Sequence, residues 1–353
     1  MERRKTKKIK VGNIYVGGDS KISVQSMTNT DSSDFDATYR QIKKLESHGC
    51  EIVRMTVPDM SAVNTLYRLK NSDINIPIVA DIHFDYKMAI EAANAGADKI
   101  RINPGNIGGD DRVKAVVDAC TQKNIPIRIG VNGGSLEKSI LGKYGRPSGE
   151  ALAESVMYHV SLLEKFDFTN IILSVKSSRI PDMIEANRIL ASENDYPLHL
   201  GVTEAGTIHS GLIKSSIGIG SLLADGIGDT IRVSLTADPV EEIKEGKAIL
   251  SALGISAECS INVISCPTCG RTKIDLISIV NEFEKRIADI KPNRKLDVAI
   301  MGCVVNGPGE AREADVGIAG GDGCAIIFKK DGTQRKISED AIVPELLAEI
   351  DKL

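Results

Sequence analysis

The 353 residues contain no tryptophan and only six phenylalanines, which removes the aromatic platforms on which single-stranded nucleic acids stack. Positive charge is not in excess either. The 44 Lys and Arg stand against 48 Asp and Glu, a formal net charge of −4, so nothing draws the chain as a whole to a phosphate backbone. No apolar run approaches the ~18 residues that a membrane span requires. Neither a nucleic-acid nor a membrane role is expected, and any basic site must be local. The basic run Arg3, Arg4, Lys5, Lys7, Lys8 and Lys10 lacks the apolar segment of a secretion signal and reads as a solvated arm. Seven cysteines, an odd number, then predict a reducing, cytoplasmic setting in which thiols serve metals or chemistry.

What is present is a repeated alternation. After a hairpin expected as a strand from Ile9 to Val16, a turn at Gly17-Gly18-Asp19 and a return from Lys21 onward, the β-rich runs are eight: Ile22–Thr28, Ile52–Val57, Ile76–Phe84, Lys99–Pro104, Pro126–Asn132, Ile171–Ser177, Leu198–Glu204 and Thr230–Leu235. Most are separated by helix-length segments such as Ala37–His48, Lys87–Ala95 and Gly149–Phe166. Eight βα units in about 250 residues predict a TIM barrel, with an open doubly wound sheet as the alternative that strand count alone does not exclude. Asp238 as N-cap, Pro239 at the first helical position and Gly254 beyond the end delimit the last helix. The expected domains are therefore 1–255, the barrel, and 256–353, a smaller α/β domain. Within the latter, strands are expected at Ile261–Ser265, Leu296–Met301, Val316–Ala319 and Ala325–Lys329, with helices over Lys273–Ile290 and from Glu339.

Several barrel strands are apolar except for a charged residue near the C-terminal end, followed two or four places on by a polar one. Arg54 precedes Thr56, Arg101 precedes Asn103, Arg128 precedes Asn132, and Arg232 precedes Ser234. Strand side chains alternate faces, so each pair projects together, toward the end where barrel enzymes place their sites. Lys176, Asp81 with His83, and Glu204 hold equivalent places. A single arginine there reads as a salt bridge. Four arginines and a lysine converging repel one another unless carboxylates or an anion neutralise them, and arginine's planar fork suits phosphate. Asp81 either balances that charge or donates a proton, and His83 either orients Asp81, binds substrate or is structural. His48, His159, His199 and His209 show no partner pattern, and the glycine-rich stretches match no phosphate-loop fingerprint.

Cys266-Pro267-Thr268-Cys269 places two thiols in one turn after a strand, and Cys303 follows the next strand, ahead of Val-Val-Asn-Gly-Pro-Gly-Glu ending at Glu310. If the intervening helix packs against both strands, their ends are neighbours and three thiolates converge, with Glu310 as a candidate oxygen ligand. No histidine follows His209, which excludes a Cys₃His zinc site in this domain. Three readings stay open: a [4Fe–4S] cluster with a displaceable carboxylate, a Cys₄ zinc site completed by Cys259 or Cys324, and a redox dithiol needing no Cys303. Cys50, Cys120, Cys259 and Cys324 are otherwise expected as core residues.

Cys-Pro-Thr-Cys-Gly-Arg-Thr and Gly-Cys-Val-Val-Asn-Gly-Pro-Gly-Glu, together with Val-Gln-Ser-Met-Thr-Asn-Thr, Arg-Ile-Asn-Pro-Gly-Asn-Ile and Gly-Val-Thr-Glu-Ala-Gly, closely resemble the bacterial 4-hydroxy-3-methylbut-2-enyl diphosphate synthase family. The resemblance runs from about Ile9 to the C-terminus. It implies reductive ring opening of 2-C-methyl-D-erythritol 2,4-cyclodiphosphate, in the methylerythritol phosphate route to isoprenoids, with electrons from flavodoxin or ferredoxin through a [4Fe–4S] cluster. It assigns the cluster to Cys266, Cys269, Cys303 and Glu310. It assigns diphosphate binding to Arg54, Arg101, Arg128, Lys176, Arg232 and Ser234 and the carboxylate near the leaving hydroxyl to Glu204; the strand pattern adds Asn103 and Asn132 as substrate-binding residues. Rivals from other classes are a zinc-stabilised barrel protein that binds an anionic ligand and a barrel enzyme of pterin or corrinoid chemistry with a zinc accessory domain. A homodimer sharing sites across chains is also expected. The helix Pro239–Leu253 delivers the chain to the barrel's bottom face, and the six residues Ile255–Ser260 span at most ~22 Å.

Overall fold

The structure, a computed structural model, describes residues 2–255, 261–288, 290, 292–305 and 313–353. Cys259 and Glu310 lie outside the described residues. The chain divides into two units, Met1–Ser256 and Ala257–Leu353.

The first unit opens with an antiparallel hairpin, β1 (Ile9–Val11) and β2 (Ile14–Val16), whose register pairs Ile9 with Val16. Its turn is Gly12-Asn13, which corrects the expectation of Gly17-Gly18-Asp19. A two-residue link wants a glycine at positive φ, and Gly12 sits at +57°; Gly17 and Gly18 instead bend the chain away after β2. Ile9, Val11 and Val16 pack against Ile52, Val79 and Ile172, closing the lower end of the barrel with aliphatic side chains.

Eight parallel strands follow: β3 (Ser23–Met27), β4 (Ile52–Thr56), β5 (Ile78–Asp81), β6 (Lys99–Ile102), β7 (Ile127–Asn132), β8 (Ile171–Lys176), β9 (His199–Leu200) and β10 (Thr230–Ile231). Each pairs with the next, β10 pairs with β3, and a bridge between Leu173 and Leu198 joins β8 to the start of β9. The ring is closed, as a TIM barrel requires and an open doubly wound sheet does not. The helices are α1 (Phe35–Ser47), α2 (Met60–Lys70), α3 (Tyr86–Asn94), α4 (Asp110–Lys123), α5 (Lys138–Tyr144), α6 (Gly149–Glu164), α7 (Ile180–Glu193), α8 (Ile208–Ala224) and α9 (Pro239–Ala252). Aspartates start several of them: Asp34, Asp59 and Asp238 accept from the N–H groups of Ala37, Ala62 and Val240 at 3.0 Å. One row of strand residues, including Ile100, Ile127, Ile129 and Leu173, is buried in the core that also takes Leu66, Val116 and Ile243 from the helices. The alternate row faces the barrel axis and carries the charges. No described helix is long and apolar enough to cross a membrane.

The N-terminal arm is solvated only in part: Lys5, Lys8 and Lys10 are exposed, but Arg3 and Arg4 are held against the barrel. Arg3 pairs with buried Asp229 at 3.1 Å. Arg4 donates to the carbonyls of Ala191, Asn194 and Tyr196, and its own N–H donates to Gly226 O at 2.9 Å. Charge pattern alone does not reveal this, because the acceptors are mostly backbone carbonyls.

The second unit has a five-stranded mixed sheet, β11 (Ile261–Ser265), β12 (Leu296–Met301), β13 (Val316–Gly321), β14 (Cys324–Lys329) and β15 (Gln334–Ser338), in that spatial order. The first three are parallel and the last two antiparallel to their neighbours. Helix α10 (Leu276–Ile287) and the helix Ile342–Ile350 supply Phe283 and Leu346 to a core with Ile300, Ile318 and Ile327. Strand β15 goes unrecognised in the sequence because only Ile337 of its five residues is buried. α10 starts at Leu276 rather than Lys273, since Asp275 caps it by accepting from Ser278 N–H at 3.2 Å.

Arg4→Ala strands three carbonyls and removes a charged donor, so it should lower barrel stability by ~1.5–3 kcal/mol. A urea midpoint equal to wild type would show the arm to be peripheral.

Candidate active site

Alternation along the strands brings the inward row to the C-terminal end of the barrel. Arg54, Asp81, His83, Arg101, Arg128, Asn132, Lys176, Arg232 and Ser234 line one cavity of about 140 Å³, with Ser174 and Thr203. Asn103 lines an adjoining cavity that shares His83, Arg101 and Asn132. Glu204 lines a third, joined to the first through Thr203. Strand β9 stops at Leu200, short of the expected Glu204, which is exposed and held at φ +53°, a conformation that costs a non-glycine residue energy.

Two carboxylates partly neutralise the five cations. Asp81 accepts from Arg101 Nη1 at 3.0 Å and lies 3.5 Å from Arg54 Nε. Burial pushes its carboxyl up, but Arg54, Arg101 and Arg128 outweigh that and hold it at about 2. Asp81 is therefore an ionised counter-charge and not a proton donor. No hydrogen bond among the described contacts joins it to His83, which is exposed. The second carboxylate, Glu242, went unnoticed in the sequence. It is 3% exposed on the first turn of α9, accepts from Arg232 Nη2 at 3.1 Å and Nε at 3.3 Å, and takes Ser26 Oγ at 2.8 Å. Its only sequence signal is an acidic residue just inside a helix start, which usually means a dipole contact.

For Arg54, Arg101 and Arg232 the salt-bridge reading is thus realised in part. Arg128 and Lys176 decide the matter. Among the described residues neither meets a carboxylate, and Arg128, 1% exposed, leaves Nε and Nη1 without partners. Burial, reinforced by neighbouring arginines, pushes both well below their usual pKa, and Arg54 down to about 10. Deeper still, Lys99 Nζ and both ring nitrogens of His199 are buried without partners. Uncompensated buried charge is costly unless an anion completes the set. Met27 was also missed: its sulfur accepts from Arg54 Nε and Nη2 at 3.1 and 2.9 Å.

In the second unit, β11 and β12 run parallel with Ser265 opposite Ile300, so Cys266 and Cys303 leave the same sheet end. Gly302 N–H donates to Cys266 Sγ at 3.3 Å, and Gly302 O accepts from Lys273 N–H at 3.1 Å. A Cβ on Gly302 would lie 2.8 Å from Thr272 Cγ2, so glycine lets the two cysteine turns approach. Cys266 and Cys303 are half-buried and Cys269 is exposed, its thiol pKa lowered first by a backbone hydrogen bond from Arg271. Among the described residues no three donors close around one metal. The soft, accessible thiols and the N–H aimed at sulfur nonetheless suit an iron–sulfur group. Cys50 and Cys120 are buried with thiols pushed up to about 12, as core residues should be. Cys324 is only half-buried, which corrects its assignment to the core; it sits at a strand start on a tight turn opposite Gly321.

The GcpE TIM-barrel domain pattern matches residues 6–247, and that of the GcpE protein C-terminal domain matches residues 262–352. Over 353 residues the chain is 58% identical to a Clostridium acetobutylicum protein named 4-hydroxy-3-methylbut-2-en-1-yl diphosphate synthase (flavodoxin), covering 100% of both. A protein of the same name from Geobacillus thermodenitrificans is 53% identical over 100% of this chain and 93% of its own. Among solved structures, a Xanthomonas albilineans dihydropteroate synthase aligns with TM-score 0.50 and 12% identity over 70% of this chain and 98% of that one, which speaks for the barrel fold alone.

Arg128→Met replaces a buried unpaired charge by an apolar chain, so it should raise the stability of the empty protein by ~1–4 kcal/mol. Inorganic pyrophosphate at about 100 times its Kd should stabilise wild type by ~2.7 kcal/mol; thermal shifts should show most of that gone in the variant. The depressed Asp81 pKa means its stabilisation is full above the unfolded value of ~3.9 and lost as pH falls through about 2. Asp81→Asn should therefore be less stable than wild type at pH 7, with the gap narrowing between about pH 4 and 2 in acid-denaturation curves.

Proposed function

This chain belongs to the GcpE family, and from that premise we propose that it reductively opens 2-C-methyl-D-erythritol 2,4-cyclodiphosphate to 4-hydroxy-3-methylbut-2-enyl diphosphate. In balance, two electrons and two protons enter and one oxygen leaves as water. The observation that carries the reading is the excess of cations over carboxylates at the barrel mouth, with Arg128 and Lys176 unmatched. Arg54, Arg101, Arg128, Lys176 and Arg232 bind the diphosphate with Ser234, while Asn103 and Asn132 orient its neighbouring atoms. Asp81 and Glu242 keep the arginine forks aimed before substrate arrives. Glu204, on the rim, holds the proton that lets the departing hydroxyl leave as water.

Cys266, Cys269 and Cys303, with Glu310 as the displaceable fourth ligand, would hold a [4Fe–4S] cluster, which supplies electrons one at a time. Flavodoxin, named in the relatives' titles, or ferredoxin delivers them, in the cytoplasm where thiols stay reduced. We also read the protein as a homodimer in which one chain's cluster domain serves the partner's barrel. In support, Leu253, Gly254 and Ile255 lie beside Arg3 and Ile22 at the barrel's lower end, away from the mouth.

Anaerobic assay with the cyclic diphosphate and reduced flavodoxin tests the function; no turnover by iron-replete protein would refute it. Cys303→Ser should lose most iron and acid-labile sulfide, whereas Cys324→Ser should keep both. Equal iron in the two variants would overturn the ligand set. Mixing inactive Cys266→Ser and Arg54→Ala dimers should restore up to about a quarter of wild-type activity, since half the dimers then carry one complete site. No recovery despite confirmed subunit exchange would place the site within one chain.

A further inference from the structure

His159, wholly buried on α6, touches two separate loops of the barrel mouth, and we propose that it is a positioning residue that fixes Asn103 and Asn132 for the substrate. The inference rests on the function proposed above. On one side, Gly105 N–H donates to His159 Nδ1 at 3.1 Å. That contact requires a lone pair on Nδ1, so in the neutral ring the proton sits on Nε2. On the other side Nε2 lies 2.6 Å from Glu137 Oε1, although the approach is oblique to the ring N–H line. Burial lowers the pKa of the imidazole and Glu137 opposes this, with the net shift downward, in keeping with the neutral ring that the Gly105 contact needs.

The two tethered groups belong to the two walls of one cavity. Gly105 lies in the short turn Pro104–Asn106, whose cap residue is Asn103. Asn103 is buried, and neither its amide nitrogen nor its amide oxygen has a partner among the described residues. Glu137 caps α5 at the end of the loop that leaves β7 through Asn132, Gly133 and Gly134. Asn103, Asn132, Gly134 and Arg101 line the same cavity. The turn rests directly on the ring: a Cβ at position 105 would lie 2.5 Å from His159 Cε1. A leucine would suit a wholly buried helix position without polar partners, so the imidazole is explained by what it holds rather than by packing. Holding both loops before binding removes their ordering cost from the substrate's affinity.

The test uses full-length, anaerobically prepared holoenzyme bearing His159→Leu, His159→Asn, Gly105→Ala or Glu137→Gln, with KM and kcat for the cyclic diphosphate and thermal-shift titration with inorganic pyrophosphate. Asparagine retains an acceptor near the Nδ1 position. His159→Leu and Gly105→Ala should raise KM about tenfold, equal to ~1.4 kcal/mol, with kcat within about twofold and iron content unchanged. His159→Asn should recover most of that loss. Unchanged KM in both variants overturns the proposal. So does a joint fall in kcat and Tm that asparagine fails to recover, which marks a purely structural histidine. If His159→Leu does not fold, Gly105→Ala and Glu137→Gln decide by the same KM criterion. If wild type does not turn over the cyclic diphosphate, the functional reading fails separately. The clamp then stands on a tenfold loss of pyrophosphate affinity in His159→Leu or Gly105→Ala, and falls if affinity is unchanged in both.

Discussion

Confinement of like charge inside a closed ring of strands is the constraint on which the first unit depends. Closure fixes how far apart Arg54, Arg101, Arg128, Lys176 and Arg232 can stand, and Asp81 and Glu242 are too few to match them. Burial pushes Lys99, Lys176 and Arg128 alike well below their usual pKa and takes Arg54 down to about 10. An anion entering the mouth favours the charged forms of Arg128 and Lys176, which line it. The excess of cations at the mouth is therefore a site that an anion completes.

Beyond the Asp81 and Glu242 ion pairs such a mouth adds little stability, so most of it has to come from elsewhere in the same unit. The lower end answers that need with aliphatic contact between the hairpin β1–β2 and Ile52, Val79 and Ile172. The N-terminal arm adds Arg3 and Arg4, whose charge is spent on Asp229 and on backbone carbonyls rather than on a ligand. Cations at the two ends thus do opposite work. Those below meet ready-made acceptors; among those above, Arg128 and Lys176 meet no carboxylate among the described residues. The division follows the usual separation in barrels between a stabilising face and a reactive one.

The barrel was legible because strand alternation is a local signal: Arg54, Arg101, Arg128 and Arg232 each interrupt an apolar run with a period that fixes their face. What stayed hidden depends on distant chain. Glu242 lies 10 positions from Arg232 but 216 from Ser26, and its role exists only once α9 docks beside β3. His159 looked like one more helix residue, since its partners Gly105 and Glu137 lie 54 and 22 positions away. Strand β15 lacks an apolar pattern because it is an edge, and the hairpin turn was misplaced because three candidate glycines lie within seven residues.

The second unit obeys a different logic. Its core, with Phe283, Ile300, Ile318, Ile327 and Leu346, draws on neither Cys269 nor Cys303. Cys266 packs only at its margin. Small metal domains whose ligands are their core unfold when the metal leaves, since binding and folding are one free energy. Here the core is built from aliphatic side chains and Phe283, and the cysteine turns hang from the ends of finished strands. Gly302 matters for the same reason: it lets Thr272 approach and aims an N–H at Cys266 Sγ without spending any core residue. The fold of the sheet therefore draws little on the three cysteines, which stand where its parallel strands end.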